Sequence, residues 1–136
     1  MAARYYVDEK NGILVGVASG LVRADELISE ANRVFTETDG AAFLMNHLFV
    51  VEKNALSSMI DETAMLRIRA FAESWAKKFP GHHTRTAVLV KDSAFKEKLF
   101  EKWKEIIEDA MHYHVDTRIM KNRDEAIAWL TEPGQK

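Results

Sequence analysis

The chain of 136 residues contains no cysteine and only two prolines. The lack of cysteine excludes a disulfide scaffold, thiolate ligands for zinc or iron–sulfur clusters, and a thiol nucleophile. Long hydrophobic runs are missing too, since the apolar stretches are far shorter than the ~20 residues of a membrane helix. The sequence therefore predicts a protein that does not insert into a membrane.

Neither sign of charge is in excess, because 19 Lys and Arg oppose 21 Asp and Glu for a formal net charge of -2. This balance provides no general attraction to nucleic acid or to an anionic membrane surface. The first residues also lack the apolar segment of a secretory signal. We expect a cytoplasmic protein with a single domain over residues 1–136, a length that suits one hydrophobic core.

Two short runs rich in β-branched and aromatic residues, at 4–9 and 13–18, flank the dipeptide Asn11-Gly12. An Asn-Gly pair between two strand-like runs is a strong signal for a β-hairpin. The first two strands are therefore predicted to be antiparallel.

After the hairpin, apolar runs alternate with helical stripes in which apolar residues recur every three or four positions. Strands are predicted at 43–51, 86–90 and 115–120, and helices at 25–36, over the stripe 60–75, over the stripe 95–110 and at 124–130. Strands that alternate with helices favour a mainly parallel sheet with right-handed crossovers. The predicted fold class is α/β, in the order β-β-α-β-α-β-α-β-α, with a mixed sheet of about five strands and four helices.

This order resembles the SpoIIAA-like branch of the STAS superfamily. The resemblance rests on the hairpin with its Gly16/Gly20 pair, the helix after Gly20, the strand at 44–51, the run TAVLV at 86–90 and the closing DEAIAWL at 124–130. It covers nearly the whole chain, and the closing motif is its most specific part. It implies a STAS-like fold and a non-catalytic regulator that binds a protein partner. A related branch, of the CRAL-TRIO-like kind, implies instead a carrier of a lipid or another apolar small molecule.

The resemblance also implies a phosphoacceptor serine after the third strand, where Ser57 and Ser58 stand here. The family's flanking Asp and Gly are replaced by Leu56 and Met59. A serine before a helical stripe is also a common helix N-cap. We favour the cap, and we keep phosphorylation or partner docking at the helix start as the functional alternative.

A second candidate site is the edge of the sheet where the parallel strands end. Ligands of α/β sheets bind in the crevice outside the carboxyl ends of the strands. The candidate residues at this edge are Glu52, Lys53, Lys91, Asp92 and Ser93. No glycine-rich phosphate loop and no GxSxG motif accompany them, so a common nucleotide or hydrolase site is not expected.

A third candidate is an apolar pocket between the helices and the sheet, which a carrier would require. Its lining is predicted to include Met45, Met65, Phe71 and Trp75. The ligand would be an apolar small molecule or a lipid.

The five histidines are His47, His82, His83, His112 and His114. His112 and His114 could place two imidazoles on one face of a strand as a pair of metal ligands, and His82 and His83 could add to them. Adjacent histidines in a loop seldom converge on one ion, however, and no HExxH motif is present, so no metal site is expected. His47 lies in an apolar run and is predicted to be a hydrogen-bonded core residue, or a general base if it lines a pocket. We expect no catalytic residue and no cofactor.

Several large apolar residues fall off the main helical stripes, namely Met65, Phe79, Phe100 and Met111. Such residues could form an exposed patch. The sequence therefore suggests a homodimer or a protein partner.

Overall fold

The computed structural model describes residues 3–56, 60–90, 94–109 and 114–133. Its strands are β1 (Ala3–Asp8), β2 (Ile13–Ala18), β3 (His47–Val51), β4 (His83–Val90) and β5 (His114–Met120). Its helices are α1 (Ala24–Glu37), α2 (Glu62–Ala76), α3 (Ala94–Glu108) and α4 (Arg123–Leu130). The predicted fold class and element order are confirmed.

The five strands form one mixed sheet in the order β1-β2-β3-β4-β5. β1 pairs with β2 antiparallel, as the hairpin predicts, and the other three pairings are parallel. Because the chain crosses the sheet in one direction, crossovers of one hand place α1, α2 and α3 on the same side. We call this side the three-helix face and the opposite side, covered by α4, the α4 face.

Side chains alternate between the two faces along each strand, as the pleat requires. In β3, Phe49 and Val51 belong to a core cluster on the three-helix face. Leu48 belongs to the cluster on the α4 face, where it packs with Trp129 and Leu130 of the last helix. Both faces of the central strands are therefore buried, as their apolar composition predicts.

The start of α2 differs from the prediction. The helix begins at Glu62, and its N-cap is Asp61, whose Oδ1 accepts a hydrogen bond from the Ala64 amide at 2.8 Å. The predicted caps Ser57 and Ser58 precede this turn and lie outside the described residues. Serine and aspartate are both favourable N-cap residues. The helix begins after the aspartate, so it starts later than the serines predict.

The predicted strand at 43–51 is too long, since β3 begins only at His47. Residues 41–44 form turns instead, in which the amides of Phe43 and Leu44 bond to carbonyls three positions earlier. The Phe43 ring packs edge-on against Phe35, at 5.4 Å between centroids. Residues 43–46 therefore do not extend the strand, although their apolar composition favours one, because Phe43 packs on α1 instead.

The predicted exposed patch is wrong for the residues that the structure describes. Met65 is buried, and Phe100 packs against the core beside Phe49. Phe79 is half-buried and stacks with Phe43. Met111 lies outside the described residues. These side chains therefore provide no support for self-association.

Asn46 connects three parts of the fold just before β3. Its Nδ2 donates to the carbonyl of Leu130 in α4 at 2.7 Å, and its Oδ1 accepts from the amide of Arg85 in β4 at 2.9 Å. Its own carbonyl accepts from the Leu14 amide of β2 at 2.9 Å. One amide side chain thereby fixes α4 against the beginning of the parallel strands.

We expect Asn46→Ala to lower the free energy of unfolding by roughly 2–3 kcal/mol, because it leaves one amide and one carbonyl without a partner. Asn32→Ala is the control, since it removes an exposed bond to the Trp75 indole and should cost about 1 kcal/mol or less. Chemical denaturation measures both. Equal losses would contradict the bridging role of Asn46.

Candidate functional site

A cavity of about 190 Å³ lies between the three-helix face of the sheet and the helices that cover it. The middle helix, α2, packs against α1 and α3 on either side. Its side chains reach towards the sheet without filling the space beneath them, and all five strands contribute to the lining. The cavity therefore follows from the position of α2 above the centre of the sheet.

The roof of the cavity is apolar. α2 contributes Met65, Ile68 and Phe71, and α3 contributes Leu99 and Phe100. Such a surface gains free energy when apolar groups leave water to lie against it.

The floor, in contrast, carries a row of polar side chains across three neighbouring strands. His47 of β3 is in register with Thr86 of β4, and Thr86 is in register with Thr117 of β5. All three line the cavity, as does Thr84, two residues before Thr86. We call His47, Thr86 and Thr117 the polar row.

Two members of the polar row have a buried polar atom with no hydrogen-bond partner within the described residues. These atoms are His47 Nε2 and Thr117 Oγ1. Most buried polar atoms in proteins are paired, because leaving one unpaired costs about 1–3 kcal/mol. The floor of the cavity therefore keeps two buried atoms that can still form a hydrogen bond.

Burial also fixes the charge of these groups. It lowers the pKa of His47 from 6.5 to about 4, so the imidazole is neutral near pH 7. It raises the pKa of the Tyr5 phenol, with a smaller contribution from the charge of Glu30. A neutral imidazole presents one N–H donor and one acceptor nitrogen. The floor thus offers hydrogen bonds without formal charge.

Gly16 of β2 keeps this part of the floor open. A Cβ at this position would lie 2.5 Å from Tyr5 Cε1 and 3.0 Å from His47 Nε2. Glycine therefore allows the two rings to lie over β2, with their centroids 5.5 Å apart.

Of the predicted pocket residues, Met45, Met65 and Phe71 line the cavity. Trp75 does not, because it lies in the last turn of α2, where its Nε1 donates to Asn32 Oδ1 at 3.1 Å. The polar row itself escaped sequence reasoning. The alternation of Thr84 and Thr86 was a usable signal, but the predicted strand began only at residue 86.

The predicted strand-edge site is described only in part. Glu52 and Lys53 follow β3 at exposed positions. Lys91, Asp92 and Ser93 lie outside the described residues, as do Ser57 and Ser58. Ligand binding at this edge and phosphorylation at the two serines therefore stay predictions.

The other histidines lie apart from the polar row. His82 is half-buried beside the Phe43 ring, and burial lowers its pKa. His83 and His114 face each other on the α4 face, at the beginning of β4 and β5. His112 lies outside the described residues.

No protein-family model matches the sequence, and neither curated proteins nor solved structures show a significant match to the chain. The resemblance to the SpoIIAA-like branch therefore stays a prediction based on the residues that carry it. None of the helices in the described ranges is long and apolar enough to cross a bilayer.

The burial of His47 predicts a pH dependence of stability. Between pH 6.5 and about 4 the unfolded state binds a proton at this position and the folded state does not. Stability therefore falls as the pH falls through this window, by at most about 3 kcal/mol.

Denaturant unfolding at pH 7, 5.5 and 4 measures this contribution when wild type is compared with His47→Gln. Other titrating groups are common to both proteins, so the difference in unfolding free energy isolates His47. We expect the unfolding free energy of the wild type to fall relative to that of His47→Gln as the pH falls. Parallel curves would show that His47 binds its proton equally well in both states.

Proposed function

We propose that this protein is a small-molecule-binding module whose ligand occupies the cavity beneath α2. The ligand has an apolar body and one uncharged polar group. The observation that supports this proposal is the pair of unpartnered buried atoms, His47 Nε2 and Thr117 Oγ1, within an otherwise apolar lining.

The size of the cavity limits the size of the ligand. At 190 Å³ the cavity exceeds the apolar cavity of about 150 Å³ that binds benzene in an engineered protein. It is smaller than the pockets of about 300–1,000 Å³ that enclose drug-sized molecules. A ring with one or two substituents suits this volume, whereas a two-chain lipid is too large for it.

The lining limits the charge of the ligand. No Asp, Glu, Lys or Arg is among the described residues that line the cavity. An ionised ligand would lose its hydration without gaining a counter-charge, which costs far more than one hydrogen bond returns. A hydroxyl, carbonyl or amide group suits the polar row.

This proposal develops the carrier alternative of the sequence analysis. The other expectation, a regulatory module that docks a partner at residues 57–60, concerns a segment of which only Ile60 is described. Ile60 lines the cavity. A bound molecule would therefore contact the segment where the resemblance expects a partner.

A pair of probes of equal shape tests the polar contact. We expect 4-methylphenol to bind more tightly than p-xylene, by roughly two- to tenfold, because only the phenol can bond to the polar row. Thr117→Val should reduce this preference without changing the affinity for p-xylene, since it removes a hydroxyl and keeps the branched shape. Titration followed by NMR or calorimetry measures both affinities.

The matched control for this pair is Thr36→Val, the same change at an exposed position of α1. It should leave both affinities as in the wild type. Failure of both probes to bind the wild-type protein at millimolar concentration would overturn the proposal. Equal affinity for both probes would overturn the role of the polar row.

A cavity-filling variant tests the binding space itself. Ala72 lies on α2 and lines the cavity, so Ala72→Leu should weaken the binding of both probes at least tenfold while the protein stays folded. Ala128→Leu makes the same change at an exposed position of α4 and should not affect binding. Unchanged probe binding in Ala72→Leu would show that the probes bind elsewhere.

A further inference from the structure

A second group of side chains with ligand chemistry lies on the other side of the sheet, at the beginning of its two last strands. His83 of β4 is in register with His114 of β5, and Asp116 follows two residues later on the same face of β5. The two imidazole rings meet edge to face, with centroids 4.7 Å apart. The sheet thus brings together three residues that are up to 33 positions apart in the sequence.

The carboxylate of Asp116 contacts both histidines. Its Oδ2 lies 3.1 Å from His83 Nε2, and its Oδ1 lies 3.5 Å from His114 Nε2. One potential ligand atom from each of the three residues lies within 4.8 Å of the others. A tetrahedral ion with bonds of about 2.0–2.1 Å holds its ligand atoms about 3.4 Å apart. Each histidine already lies close to this distance from Asp116, although each one faces a different carboxylate oxygen.

The chemistry of the three groups suits a divalent ion of intermediate softness. Two imidazole nitrogens and one carboxylate oxygen form a common ligand set for zinc, with water in a fourth position. The side chains of His114 and Asp116 are about half exposed or more, at 67% and 51%, so the site is accessible and a fourth position faces solvent.

The two arginines nearest to Asp116 along the strands form contacts with Trp129. Arg85, in register with Asp116, donates from Nη1 to the carbonyl of Trp129 at 2.7 Å. Arg118, two residues after Asp116, lies over the Trp129 ring at 4.5 Å. Both guanidinium groups thus pack around one indole, and the Asp116 carboxylate remains directed at the two histidines.

We infer that His83, His114 and Asp116 form a binding site for a divalent transition-metal ion, with Zn²⁺ as the ion that best fits the ligand set. This site is separate from the cavity, since its residues lie on the α4 face. A bound ion would connect β4 to the edge strand β5. It would stabilise the folded state, because the unfolded chain does not hold the three groups together.

Calorimetric titration of the untagged, chelator-treated protein with Zn²⁺ alone tests the site. We expect binding of one ion per chain, and a rise in the melting temperature when Zn²⁺ is added. Asp116→Asn and His114→Gln should each weaken binding at least tenfold. Both positions are exposed, so these variants should keep the fold, and His83→Gln extends the test to the third ligand.

Asp39→Asn is the matched control for Asp116→Asn. It removes the same charge at an exposed position remote in sequence, and its left-handed backbone, with φ of 53°, is one that asparagine tolerates. This variant should bind Zn²⁺ like the wild type. No saturable binding to the wild type, or affinity unchanged in both Asp116→Asn and His114→Gln, would overturn the proposed site.

Discussion

The position of α2 above the sheet is the constraint on which the interior of this protein depends. Three successive crossovers of one hand place α1, α2 and α3 side by side on one face. The middle helix packs between its two neighbours, and the cavity separates it from the sheet. The cavity results from this arrangement, because the side chains of α2 do not fill the space between the helix and the sheet. The side chains of the polar row therefore face the cavity.

The two faces of the sheet therefore differ in packing. On the α4 face, a short helix presses Ala126, Trp129 and Leu130 directly onto buried aliphatic side chains of the strands. Asn46 holds this helix in place by a hydrogen bond to its last residue. On the three-helix face Phe35, Phe43, Phe71 and Trp75 cluster near the ends of α1 and α2, and a cavity remains beneath α2. Direct helix–sheet packing and the cavity thus lie on opposite faces of the sheet.

The element order was predictable because the sequence uses local signals that agree with one another. The Asn11-Gly12 turn and the Asn122 cap, which accepts from the Glu125 amide at 3.0 Å, both function as their residue types suggest. The start of α2 was not predictable, because serines and Asp61 are all suitable caps and only the surrounding packing selects one. Apolar composition alone also could not separate the turn around Phe43 from a strand.

The candidate sites were harder to predict, because both depend on register between strands. The polar row joins His47 to Thr86, which is 39 positions later, and to Thr117, which is 70 positions later. No local pattern encodes that alignment. The same holds for His83 and His114, because only the register of β5 against β4 brings these two residues together. Three of the four predicted pocket residues do line the cavity, because apolar residues on α2 and before β3 have few other places to be buried.

The order of the strands in the sheet equals their order in the chain, which has a consequence for how the protein is made. Each strand that leaves the ribosome can pair with the one before it, and none has to be inserted between two strands already paired. Among the described residues, however, the helix that covers the α4 face is α4, at residues 123–130, after all five strands. Until these residues are synthesised, Leu48, Ala87 and Leu89 lack their partners on this face. A nascent chain thus carries an uncovered apolar sheet surface until α4 emerges.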